Sequence, residues 1–93
     1  MREIERSNQF RRDYKRELKG RRGTALPGEL AAVVEALAND QPLPPKYRDH
    51  ALTGNFRGYR DIHVRPDLVL IYVKPDIRTL QLVRLGSHSE LFD

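Results

Sequence analysis

Between Tyr59 and Leu85 three short runs, YRDIHV, LVLIYV and TLQLVRL, are separated only by RPD and KPDIR. Each run is rich in β-branched and aromatic residues, and the Pro-Asp pairs between them suit tight turns. Connections this short cannot carry a crossover, so the three strands must form an antiparallel meander. No other stretch of the chain restricts the fold as much.

Upstream the pattern is different. REIER, Arg2 to Arg6, can form a short strand. Ser7 is a plausible N-cap for a helix in which Phe10, Tyr14 and Leu18 recur at helical spacing and basic residues fill the other positions. After Gly20 and Gly23, LPGELAAVVEALAND reads as a second helix with Leu30, Val33, Val34 and Leu37 on one face, closed by Asn39 and Asp40. Pro42, Pro44 and Pro45 then force an extended connector. Helices first and strands later predict an α+β fold, with two N-terminal helices packed on one face of a small, mainly antiparallel sheet whose other face is free.

The chain has 93 residues, 39% of them hydrophobic, which is enough for one core, so residues 1–93 are expected to be a single domain. The lack of cysteine excludes disulfides and thiolate metal sites. The charged N-terminus carries no apolar signal-peptide core, and no run approaches the ~20 apolar residues of a membrane span, so a cytoplasmic location and no membrane partner are expected. Arg11, Arg12, Lys15, Arg16, Lys19, Arg21 and Arg22 crowd one segment. Such a cluster attracts polyanions, although a basic run of this kind is more often a solvated helix face.

The strand period sorts the polar residues. In YRDIHV, Tyr59, Asp61 and His63 share one face, while Arg60, Ile62 and Val64 share the other. Ile62 and Val64 belong against the helices, so Asp61 and His63 project from the open face beside the turn that carries Asp67. His50 lies in the segment entering the strands and His88 just after the last of them. A meander that gathers these positions surrounds one concave surface with three imidazoles and two carboxylates, a set able to move protons near neutral pH. Taken singly, each has an ordinary explanation as a surface, turn or salt-bridging residue.

YRDHALTGNFRGYRDIHVRPDLVLIY, Tyr47 to Tyr72, and RLGSHSELF, Arg84 to Phe92, resemble the YafQ branch of the RelE superfamily, the toxin halves of type II toxin–antitoxin pairs. The likeness follows the pattern D-H-x-L-x-G-x-[FW]-x-G-Y-R-D-x-H-V-x-P-D. It covers about the C-terminal half, while length and element order agree over the rest. It implies a microbial-ribonuclease-like α+β fold and a ribosome-dependent endonuclease that cuts mRNA without a metal or other cofactor. It also implies a cognate antitoxin, a DNA-binding dimer with an extended inhibitory segment, through which alone operator DNA would be reached. His50, His63, Asp67 and His88 fall on catalytic positions of the resemblance; Asp61 and Phe92, and more remotely Arg84, fall on supporting ones. Phe56 stands where some relatives carry Trp.

Metal-free RNA cleavage needs a base for the 2′-OH proton, an acid for the departing 5′-oxygen, and charge or donors for the phosphorane. Histidines supply all three. His50 and His63 are the proton-transfer candidates, Asp67 orients one of them, and His88 acts as acid or phosphate ligand. A carboxylate beside an imidazole fixes its tautomer, and Phe92 offers a face on which a base can stack. The basic segment then reads as a contact to ribosomal RNA. Two other classes compete with this reading. One is a small metal-dependent enzyme using Asp61, His63 and His88; the other is a non-catalytic RNA-binding or regulatory module carried by the basic helix.

Overall fold

A computed structural model describes residues 1–20 and 23–92. Its order is β1 (Glu3–Arg6), α1 (Asn8–Lys19), α2 (Leu26–Ala38), β2 (His50–Ala51), β3 (Arg60–Arg65), β4 (Leu68–Asp76), β5 (Thr79–Gly86) and α3 (His88–Phe92), with single 3-10 turns at Pro45–Tyr47 and Gly54–Phe56. The strands form one sheet in the order β1-β5-β4-β3-β2. The meander is present as expected, with β3 antiparallel to β4 and β4 to β5. At its ends the sheet gains two short strands: β2, antiparallel to β3, and β1, parallel to β5.

The α+β arrangement is the expected one. Ser7 caps α1, its hydroxyl oxygen accepting from Phe10 N at 2.9 Å. Pro27 sits in the first turn of α2, where its missing N–H costs nothing, and Leu26, Leu30, Val33 and Leu37 are buried against the sheet. Facing them are Ile62, Leu68, Leu70, Leu80, Leu82 and Leu85. Leu68 to Tyr72 are all buried, as a central strand covered on both faces requires. The second face is therefore not free. Leu91 of α3 packs on Val69 and Ile71, with Leu52, Phe56 and Tyr59 from the segment before β3 beside it.

Helix α1 departs from the apolar stripe of its sequence. Phe10 is buried and Tyr14 partly so, but Leu18 is 38% exposed, and the buried positions are instead Asp13 at 0% and Glu17 at 6%. The cause lies in β5. Strand β1 pairs with β5 only from Thr79 to Leu82, which leaves the edge of the last four residues of β5 without a strand. Side chains of α1 take its place. Ser7 Oγ donates to the Val83 carbonyl at 2.7 Å, Asp13 Oδ2 accepts the Leu85 amide at 2.9 Å, and Arg16 Nη2 donates to the Leu85 carbonyl at 2.9 Å.

Asp13 also accepts from Arg84 Nε at 2.8 Å and from Arg16 Nη1 at 3.2 Å. Arg16 in turn pairs with Glu17 and, at 3.5 Å, with Glu90 of α3. Gly86 is the close approach that admits this network, because a Cβ there would sit 2.9 Å from Arg16 Nη2. One buried carboxylate thus joins α1 to the sheet edge, and through Arg16 to α3.

Removing one partner of such a buried pair strands the others, at a cost of about 3–5 kcal/mol. Asp13→Ala should therefore lose a large share of the ~5–15 kcal/mol stability usual for a domain. Asp13→Asn, which still accepts the Leu85 amide, should lose less. Urea unfolding followed by circular dichroism checks both, and an Asp13→Ala stability within about 1 kcal/mol of wild type would contradict this account.

Candidate active site

Strand alternation places the site. On β3, Ile62 and Val64 turn into the helix-side core, and Asp61 and His63 turn to the opposite face. Strand β2 lays His50 directly opposite Asp61, so the two side chains share that face. His50 Nδ1 is 2.9 Å from Asp61 Oδ1 and 2.7 Å from the carbonyl of Arg48, a residue in the left-handed region at φ +50°. The Arg48 carbonyl can only accept and takes the hydrogen bond, whereas the buried oxygens of Asp61 have no hydrogen-bond partner although one lies close to the ring. The proton of a neutral His50 ring therefore sits on Nδ1, leaving Nε2 as the basic nitrogen.

Asp61 is fully buried, while the His50 side chain is about half exposed. Burial pushes the Asp61 carboxyl above its ordinary value, opposed by the charges of His50, His63 and His88. All three imidazoles therefore lie within electrostatic reach of one sequestered carboxyl.

His63 lies two residues before the end of β3 and the two-residue turn Pro66–Asp67, and its Nδ1 is 3.4 Å from the Pro66 carbonyl, a long contact. The register between β3 and β4 shifts at this point, Val64 being the extra residue between His63 opposite Val69 and Arg65 opposite Leu68. Bulges of this kind re-aim side chains next to functional sites. Asp67 is exposed on the turn.

His88 is set by a capping box. Ser87 N donates to Glu90 Oε1 at 2.8 Å, and Glu90 N donates to Ser87 Oγ at 3.2 Å, which starts α3 with His88 as its first residue. The His88 and Phe92 rings lie 4.6 Å apart, and Phe92 makes an edge contact with Phe56 at 5.5 Å. Leu91 anchors the turn beneath. The motif S-x-x-E was visible in the sequence and marks α3, which the strand pattern alone did not suggest.

His50, Asp61, His63, His88 and Phe92 are thus gathered on one face, with Asp67 on the adjoining turn. Arg84 stands opposite Ile71 on the same face, but its guanidinium is drawn to Asp13, where it does structural duty. Arg11, Arg12, Lys15 and Lys19 are exposed on α1. Arg16, expected among them, is engaged by Asp13, Glu17 and Glu90. Arg21 and Arg22 lie outside the described residues. Sequence reasoning missed Asp13, Glu17 and Asp49, whose roles depend on partners distant in the chain. Among the described residues no group of three or more His, Asp and Glu side chains is placed to hold a metal ion.

Comparison with known proteins gives the family. Residues 2–93 match the family described as the bacterial toxin of a type II toxin–antitoxin system, YafQ. The chain belongs to the YafQ family. It is 40% identical over 92 residues to the mRNA interferase toxin YafQ of Escherichia coli K12, covering 98% of this chain and 96% of that one. A metal-bound toxin from Helicobacter pylori superposes with a TM-score of 0.87 at 49% identity, over 99% of this chain and 100% of the other. The YafQ chain of the E. coli DinJ-YafQ toxin–antitoxin complex superposes at 0.84 with 41% identity, over 99% and 98%. The open, mainly antiparallel five-stranded sheet with its helices matches the YafQ structure of that complex.

The raised Asp61 pKa carries a sign. The native state holds this proton to higher pH than the unfolded chain does, so Asp61 lowers stability progressively as pH rises above its unfolded pKa. Asp61→Asn should therefore melt at a higher temperature than wild type at about pH 8, with the difference shrinking as pH falls toward the unfolded pKa of ~3.9 and vanishing well below it, where the carboxyl is protonated in both states. Cleavage activity should fall in the same variant. Melting curves across pH check this, and a constant or reversed difference would contradict the assignment.

Proposed function

We propose that this YafQ-family chain works as one toxin domain that cuts mRNA in the ribosomal decoding site by histidine acid–base catalysis, without a metal. The observation that carries the reading is His50 Nδ1 held 2.7 Å from the Arg48 carbonyl, which keeps its proton on that nitrogen. It leaves Nε2 free to take the proton of an RNA 2′-OH while two further imidazoles stand around the same carboxyl.

The 2′-oxygen attacks the adjacent phosphorus as its proton passes to His50 Nε2. The bond from phosphorus to the 5′-oxygen breaks, and His88 supplies the proton that this oxygen needs. His63, with Asp67 on its turn, faces the phosphorane and stabilises its charge. Asp61 holds His50 and stabilises the imidazolium that forms. The Phe92 ring, braced by Phe56, offers the stacking face for a base. The products are a 2′,3′-cyclic phosphate, which hydrolyses to a 3′-phosphate, and a free 5′-OH.

The partners follow from the family. An antitoxin is expected to neutralise this toxin as DinJ joins YafQ in the E. coli complex, and to be its only route to operator DNA. The exposed Arg11, Arg12, Lys15 and Lys19 would meet ribosomal RNA phosphates and place the toxin without reading sequence. Ribosomes and mRNA put the site of action in the cytoplasm, and among the described residues no helix is long and apolar enough to cross a membrane.

Expression without an antitoxin should arrest growth with cleaved message. On programmed ribosomes, a message with 2′-deoxyribose at the cleaved position should resist cutting, because its nucleophile is missing. The ribo substrate should give cyclic or 3′-phosphate and 5′-OH ends, equally with and without EDTA once the complex is pre-formed. Cleavage of the deoxy substrate with 5′-phosphate ends would instead support the metal-dependent reading. A His63→Ala protein that binds ribosomes and arrests growth as wild type does would support the binding module.

Replacing Arg11, Arg12 and Lys15 with Gln should weaken ribosome binding and lower the slope of log affinity against log salt by up to about 0.7–0.9 for each lost phosphate contact. Arg16→Gln should instead lower stability, because its guanidinium serves Asp13 and the Leu85 carbonyl. An unchanged salt slope would remove the basic segment from the interface.

A further inference from the structure

Strand β2 is only two residues long, and it must hold His50 opposite Asp61 rather than one residue away. A slip of one position would turn His50 to the helix side of the sheet. Two paired residues at a sheet edge cannot fix this by themselves. The preceding side chain, Asp49, turns to the face opposite His50 and meets two groups of the neighbouring strands. Its Oδ1 accepts from the Tyr72 hydroxyl of β4 at 2.7 Å and from Arg60 Nε of β3 at 3.0 Å.

Tyr72 is 2% exposed within the helix-side core, so its ring is a fixed post. Burial first, and then the hydrogen bond and charge of Asp49, raise the Tyr72 hydroxyl above its ordinary value, which keeps it a donor. On the other side of the same segment, Arg48 sits at φ +50° and aims its carbonyl at His50 Nδ1. Residues 48 to 50 are thus held from both faces.

We propose that Asp49, clamped by Tyr72 and Arg60, is a positioning residue for His50. The clamp sets the register of β2 and so holds the His50 ring against Asp61 and the Arg48 carbonyl, with Nδ1 protonated and Nε2 outward. Its effect on cleavage rests on the role given to His50 above, but its effect on the ring does not. A single oxygen, Asp49 Oδ1, receives both donors, one of them an arginine, so an amide oxygen in the same place can still accept both bonds.

Three variants of the full chain test this: Asp49→Ala, which removes the acceptor; Asp49→Asn, whose amide oxygen can still accept both bonds; and Tyr72→Phe, which keeps the ring and the core volume. The ring nitrogens of His50 are read by nitrogen-detected NMR, and single-turnover cleavage is compared with ribosome affinity. Asp49→Ala should average the His50 tautomers and slow cleavage on the order of 100-fold, the loss typical of a small misplacement of a reacting group, with ribosome affinity unchanged. Tyr72→Phe should give the same signature at about tenfold, and carries the test where Asp49→Ala fails to fold. Asp49→Asn should restore both the His50 signals and most of the rate.

Wild-type His50 signals in both Asp49→Ala and Tyr72→Phe would overturn the proposal, as would an Asp49→Asn protein impaired as severely as Asp49→Ala. Altered His50 signals with a wild-type cleavage rate would uphold the clamp and overturn the catalytic role of His50 instead.

Discussion

The open edge of β5 beyond Leu82 is the constraint on which the rest of this fold depends. A strand edge exposes amides and carbonyls that must find partners, and here β1 stops too early to provide them. Helix α1 supplies a carboxylate and a guanidinium in place of a strand, Asp13 for the Leu85 amide and Arg16 for the Leu85 carbonyl. This fixes the rotation of α1, buries Asp13 and Glu17, and turns Leu18 outward. It also ties α3 to the same point, because Arg16 reaches Glu90, and Glu90 closes the capping box that presents His88. A buried ion pair contributes little net stability compared with apolar packing, but a half-removed one costs a great deal, so the arrangement favours specificity over strength.

The candidate site hangs between two such anchors. On one side Asp13 and its arginines hold α3, with His88 and Phe92. On the other, Tyr72 and Arg60 hold Asp49 and with it His50. Asp61 lies between them at full burial, the one carboxyl of the site for which the fold offers weak compensation: a single imidazole close by and two more at longer range. Burying a charge this way costs stability. The expense is understandable where the carboxyl must steady an imidazole that gains and loses a proton during the reaction, because sites that perform chemistry commonly sacrifice local stability.

What the sequence discloses here is what local rules control. The three strands of the meander, the Ser7 cap, the extent of α2 and the common face of Asp61 and His63 follow from turn chemistry, capping and the period of two. What it conceals depends on distant partners. The parallel pairing of β1 with β5 joins residues more than seventy positions apart. The stripe Phe10, Tyr14 and Leu18 misplaces Leu18, because periodicity counts apolar residues and is blind to a carboxylate that a strand edge requires. Between β4 and β5 the register skips Val83, so Leu82 and Leu85 both face the helices and Arg84 stands on the site face, which strict alternation from Leu82 would not give. The histidines and Phe92 were legible as a set, whereas the devices that aim them, Asp49 and Asp13, were not.

The central claim is that imidazoles gathered around Asp61 carry both proton transfers of the cleavage step. Single-turnover cleavage on programmed ribosomes, measured across pH for wild type and His50→Gln, tests it most directly. The account predicts a wild-type rate that rises and then falls with pH on either side of neutrality, as paired acid and base groups require, and a much slower His50→Gln rate whose rising limb is gone. A rate independent of pH through this range, or a rising limb of unchanged position in His50→Gln, would contradict it.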